Sequence, residues 1–226
     1  MLSPGSLRRA RAVAGLLLLG AWGGACASPV APARFGQTPG YAPSAWATLH
    51  RDARNSDFAP VFVASQLRVA WTALEDAAMW VGPTLGPEGH VYATTGRGVG
   101  TSHLHAFDRD GRLLWESAPM RSEADLDHGA VINAPVVGDD GTVYQADLDQ
   151  LWAFAPDGRV RWTASLRAAG ASGHFVTPVL DGRGRVGGVT TDGVLLLFAR
   201  ETGELAVPAF ELPGAAGPPA IPAPPG

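Results

Sequence analysis

VYQADLDQLWAFAPDGRVRW, residues 143–162, decides the fold. It holds three short runs rich in Val, Leu, Tyr, Phe and Trp, separated by polar turns. Runs of this length and composition, bounded by Gly, Asp and Pro, read as strands. Asp157-Gly158 between two apolar runs is a hairpin signal, because the turn needs a positive φ that Gly adopts without steric cost.

Outward from this stretch the pattern recurs on both sides. WVGPTL (80–85), HVYATT (90–95), SHLHAFD (102–108) and RLLWES (112–117) form one unit. VINAPVV (131–137) supplies the missing first run of the central unit, which TVYQAD, DQLWAFA and RVRWTAS complete. FVTPVL (175–180), RVGGVT (185–190), GVLLLFA (193–199) and ELAVPA (204–209) form the third. The register is countable. Pro83, Pro135 and Pro178 hold one position, and nine residues later stand Tyr92, Tyr144 and Gly187. Phe107, Phe154 and Phe198 hold a third position, and Gly111, Gly158 and Gly203 a fourth. Trp115 and Trp162 follow their glycines by four residues, where the third unit has Val207. LRVAW (67–71) closes an earlier, partial unit at Trp71.

Self-similarity at a period of roughly 40–50 residues marks an array of supersecondary units. Each unit reads as an up-and-down, four-stranded antiparallel sheet. Runs that are apolar almost throughout, such as GVLLLFA, imply burial on both faces. A small sheet covered by copies of itself is a blade, so the expected fold is an all-β propeller with blades at about 79–117, 130–165 and 174–209. The Ala-rich stretches near 164–171 and 215–220 are broken by Gly or Pro and predict no helix of consequence.

These units resemble the pyrroloquinoline-quinone-like (PQQ-like) propeller repeat: Pro, acidic-Gly, Val-Tyr, a short loop, Leu-Tyr-Ala-Leu, Asp-Gly, Trp. Residues 143–162 match best and 90–115 next, while the third unit departs at Gly187 and Val207. WATLHRDARNSDFAP (46–60) is similar to the family's opening segment. The resemblance covers about residues 46–210. It implies that Trp71, Trp115 and Trp162 are structural anchors between blades. The family includes quinone-dependent dehydrogenases, which hold PQQ and calcium on the ring axis, many with a disulfide between adjacent cysteines. It also includes the propeller lipoprotein of the outer-membrane β-barrel assembly machinery. Cys26 is the only cysteine here, so no Cys-Cys pair exists. The resemblance therefore implies a cofactor-free protein-binding or scaffold module rather than an enzyme. A fragment of a PQQ-dependent dehydrogenase or another propeller enzyme is the competing reading.

At the front, Arg8, Arg9 and Arg11 precede the apolar run 12–22, which is the form of an export signal and too short for a membrane span. Cys26 ends this region as in a lipobox, with Gly24 and Ala25 before it, which predicts a lipid-bearing N-terminus. Cleavage after Ala27 at an A-x-A site is the alternative. Residues 27–45 read as a Pro/Gly-rich tether and 213–226 as a tail unable to join a sheet. The expected location is the cell envelope. The formal charge of −4 becomes −7 once three signal arginines are removed, which argues against nucleic acid as a partner. Three blades are fewer than a closed ring requires, so the sequence reads as a fragment of a longer product or as a chain that closes by self-association.

Three groups invite chemistry. His103 and His105 alternate along one run and share a face, which suits a metal pair but lacks a third ligand, so a polar blade face is expected. Glu123, Asp125, Asp127 and His128 crowd one loop, and Asp147 and Asp149 repeat the Asp-x-Asp theme. Neither has the order of a calcium loop, and both read as solvated. No cofactor-binding or metal residues are assigned.

Overall fold

The computed structural model describes residues 38–59, 65–96, 102–120 and 133–214. Three four-stranded antiparallel sheets follow one another along the chain. Blade 1 comprises β1 (Thr84–Leu85), β2 (Val91–Gly96), β3 (Ser102–Phe107) and β4 (Leu113–Glu116). Blade 2 comprises β5 (Val136–Val137), β6 (Val143–Ala146), β7 (Gln150–Phe154) and β8 (Val160–Ser165). Blade 3 comprises β9 (Val179–Leu180), β10 (Arg185–Val189), β11 (Val194–Ala199) and β12 (Phe210–Glu211). Among the described residues the only helical turn is a single 3-10 turn at Pro87–Gly89. The chain is thus an all-β array of propeller blades.

Each first strand is only two residues long, shorter than the apolar run containing it. Pro83, Pro135 and Pro178 precede them and have no N–H to donate, which limits the ladder at that end. The third strands show why the runs are apolar on both sides. Along β7, Leu151 and Ala153 face blade 3 and Phe154 faces blade 1, and all three are buried. Between the third and fourth strands the register slips at the same place in two blades, Ala106/Phe107 and Ala153/Phe154. The slip lies beside the tryptophan in each case.

Those tryptophans form one contact three times. Trp71 stacks on Phe107 with ring centroids 5.8 Å apart, and its Nε1 donates to the Arg109 carbonyl at 3.3 Å. Trp115 stacks on Phe154 at 6.4 Å and donates to the Pro156 carbonyl at 2.8 Å. Trp162 donates to the Arg200 carbonyl at 2.9 Å. Each indole covers the turn glycine of the following blade. A Cβ on Gly111, Gly158 or Gly203 would lie 2.5, 2.7 or 2.6 Å from the ring above it. Tyr92 and Tyr144 flank Trp115 and Trp162 identically, with centroids 5.9 Å apart and rings inclined at 43°.

Candidate functional site

In a propeller the first strand of each blade lines the central channel. The exposed edge of such a strand carries unpaired N–H and C=O groups that need a partner. Here one segment near the N-terminus meets all three. Leu85 of β1 donates its N–H to the Trp46 carbonyl at 2.6 Å. In β5, Val137 donates to the Ala47 carbonyl and accepts from the Ala42 N–H, both at 2.9 Å. Beyond β5, Asp139 donates to the Gly40 carbonyl at 2.9 Å. In β9, Leu180 donates to the Tyr41 hydroxyl at 2.9 Å. Tyr41, Ala42, Ala47 and Thr48 are buried by these contacts. Residues 38–45, expected from composition to end a tether, are instead bound into the fold. They do so as a run of turns and bends around one bridge, Tyr41 to Gly138, and not as a strand.

This arrangement bears on the quinone and calcium that the family's enzymes carry. Such a group needs open channel-facing surface and a converging set of oxygen ligands. The channel-facing edges are covered by residues 40–47. Among the described residues, no three His, Cys, Asp or Glu side chains converge as a metal site. The described residues do not fit the cofactor.

Blade 2 is tied to blade 3 by buried polar groups. Gln145 Nε2 donates to the Asn133 carbonyl at 2.8 Å, and Asn133 Nδ2 donates to the Phe175 carbonyl at 3.1 Å. Further out, Arg200 donates from Nε to the Tyr144 hydroxyl at 3.1 Å and from Nη2 to Asp139 and Asp140 at 2.8 and 2.9 Å. A cleft of about 320 Å³ opens beside these groups, lined also by Arg161 and Glu201. Arg161 pairs with Asp140 at 3.2 Å, so the cleft's charges largely satisfy one another.

The histidine pair has a partner that sequence spacing did not reveal. Glu116, across the β3–β4 ladder from His105, lies between the two rings. Its Oε1 is 3.0 Å from His103 Nδ1 and its Oε2 is 3.5 Å from His105 Nε2. His103 Nδ1 also lies 3.1 Å from the Ser117 carbonyl. His105 is wholly buried and stacks on Phe107 at 6.3 Å, which corrects the expected polar blade face. It stands where Trp152 stands in blade 2, stacked on Phe154 at 6.2 Å. The imidazole fills an aromatic position in the packing, with the Glu116 carboxylate at its edge.

Asp147 is likewise no solvated ligand. It is completely buried. Its Oδ1 accepts the N–H groups of Asp149 and Gln150 at 2.9 and 2.6 Å, and its Oδ2 accepts from Trp152 Nε1 at 2.8 Å. It closes the β6–β7 turn from within, the usual use of Asp in an Asx turn. Burial pushes its carboxyl up to about 7, against the pull of those three donors. The folded value then lies above the unfolded value of 3.8. As pH rises from about 4 to about 7 the unfolded chain releases a proton that the folded chain retains, so this group's contribution to stability falls across that window. The melting temperature of Asp147→Asn should therefore vary less between these pH values than that of the wild type. Calorimetry at matched ionic strength measures it, and parallel pH profiles would refute the assignment.

Cys26, the export signal, the acidic loop with Glu123, Asp125, Asp127 and His128, and residues 215–226 lie outside the described residues.

Comparison with known proteins agrees with the architecture. Residues 100–206 match the family model described as outer membrane protein assembly factor BamB. No curated protein matches the chain. A europium-containing methanol dehydrogenase superposes with a TM-score of 0.56 at 14% identity, over 76% of this chain and 32% of its own. The quinohemoprotein alcohol dehydrogenase of Comamonas testosteroni superposes at 0.50 and 18% identity, over 73% of this chain and 27% of its own. BamB from Moraxella catarrhalis gives 0.37 at 24% identity over 55% of this chain and 34% of its own, and no argument rests on it. The chain thus spans about a third of the length of these structures, and the likeness is one of fold.

Proposed function

We propose that this chain of PQQ-like propeller repeats acts as an exported, cofactor-free binding module of the cell envelope, held to a membrane by lipid on Cys26. One observation carries the cofactor-free part: residues 40–47 occupy the channel-facing strand edges where an axial cofactor would need room. The match of residues 100–206 to a family described as an outer-membrane assembly factor supports protein binding as the role. The apolar run before a sole cysteine supports export and lipidation. Trp71, Trp115 and Trp162 serve as blade anchors in this reading, with no part in chemistry.

The enzymatic reading, a portion of a quinoprotein oxidoreductase, draws only on the fold likeness to the dehydrogenases, and fold does not imply function. Thermal unfolding with PQQ and Ca²⁺ separates the two. A ligand that binds the folded state raises the melting temperature. No rise is expected, and a rise accompanied by alcohol oxidation with an artificial electron acceptor would establish the quinoprotein instead. Mass spectrometry of the membrane fraction should find a mature chain beginning at diacylated Cys26. A soluble chain beginning at Ser28 would overturn the anchor.

A further inference from the structure

The segment 38–47 is fastened in two different ways. Its later part is paired inside the array, where the Trp46 and Ala47 carbonyls accept from Leu85 and Val137. Its earlier part lies in a seat built largely from glycine. Gly40, with φ of 87°, packs against Gly182, with φ of 70°. A Cβ on Gly40 would stand 3.4 Å from the Gly182 Cα, and one on Gly182 would stand 3.1 Å from the Pro39 Cβ. A third glycine, Gly138, leaves room for a guanidinium: a Cβ there would stand 2.5 Å from Arg200 Nη2.

Arg200 follows β11 in blade 3 and uses its donors on blade 2. Its Nε donates to the Tyr144 hydroxyl, and its Nη2 donates to Asp139 and Asp140. Its Nη1 lies 3.5 Å from where a Cβ on Gly40 would be. Asp139 is thereby held from both sides, its carboxylate by Arg200 at 2.8 Å and its N–H by the Gly40 carbonyl at 2.9 Å. One residue on from Gly40, the Tyr41 hydroxyl accepts from Leu180 of blade 3. The earlier part of the segment thus closes on turns of two blades at once, and the guanidinium holds those turns in register.

We infer that residues 38–42 form a strap that detaches from blades 2 and 3 as a unit while Trp46 and Ala47 stay paired, and that the Arg200–Asp139 contact is its lock. The lock is open to ions. The Asp139 side chain is 54% exposed, and both residues line the cleft between the two blades. Salt screens exposed charge pairs, so ionic strength sets how often the strap opens. The device works in the same way whatever the propeller binds.

Native-state hydrogen exchange on the mature chain reads local opening amide by amide. The reporters are Ala42, Asp139 and Leu180, whose N–H groups bond across the strap, with Leu85 as the internal control. In Arg200→Gln the three reporters should exchange at least about tenfold faster, because hydrogen bonds to a charged group are lost. Leu85 should stay near its wild-type rate. Asp139→Ala, a change at an exposed side chain that keeps the Tyr144 contact, should move the same three amides in the same direction. Added salt should speed them in the wild type and leave them unchanged in Arg200→Gln. Unchanged reporters in both variants overturn the inference. So does equal acceleration of Leu85, which would make Arg200 a contributor to global stability alone, and so does a salt effect that survives the substitution.

Discussion

Trp162→Ala should destabilise the chain by about 3–5 kcal/mol, the range for removing a large buried aromatic. The indole is 9% exposed, rests over Gly203, packs against Tyr144 and donates to the Arg200 carbonyl. Its loss opens a cavity between blades 2 and 3 and leaves that carbonyl without this donor. Arg200 is also the residue whose guanidinium reaches Tyr144, Asp139 and Asp140, so the change weakens a second set of inter-blade contacts. Chemical denaturation of wild type and variant gives the difference directly. A cost within about 0.5 kcal/mol, the level of ordinary surface changes, would show that the anchor reading of Trp162 is wrong.

Gly158→Val should cost nearly as much by the opposite route. Gly158 has φ of 86° and a Cβ there would stand 2.7 Å from the Trp115 ring. An L-residue in the left-handed region costs about 1–2 kcal/mol, and overpacking adds roughly 1–3 kcal/mol. The two parts separate in a double-mutant cycle. With Trp115→Ala in place the overpacking component disappears and the backbone component stays, so the two changes should be strongly non-additive. Strict additivity would mean that Trp115 does not rest on this turn.

Most of the fold is legible because its determinants repeat. The Pro-to-Tyr interval, the Phe, the turn Gly and the Trp four residues later each mark one structural position, and the structure uses them in that order in blades 1 and 2. The departures Gly187 and Val207 are equally visible in the sequence. In the structure both fall on one face of blade 3. The histidine environment was out of reach for a different reason. His103 and His105 share a face by simple alternation, but the carboxylate between them comes from Glu116 across a ladder whose register slips at Ala106/Phe107. Alternation within a strand carries no information about that slip. Asp147 misleads because an Asp-x-Asp motif looks the same whether its carboxylate faces solvent or closes its own turn. Residues 40–47 bind largely through backbone groups, and backbone pairing leaves almost no trace in side-chain pattern.

That last segment also fixes an order of events. The hydrogen bond from Leu180 to Tyr41 spans 139 residues, whereas each blade closes through neighbouring hairpins. Long loops incur their entropic cost before their contacts return anything, so non-local pairings form late. Residues 38–47 leave the ribosome before any blade exists, yet they acquire their full set of partners only after β9 has been made. A stretch synthesised before the blades is therefore the latch that closes last. Contacts that form after the transition state govern how fast a protein opens rather than how fast it folds. Loosening Tyr41 should accordingly shorten the lifetime of the native state while leaving its rate of formation almost untouched.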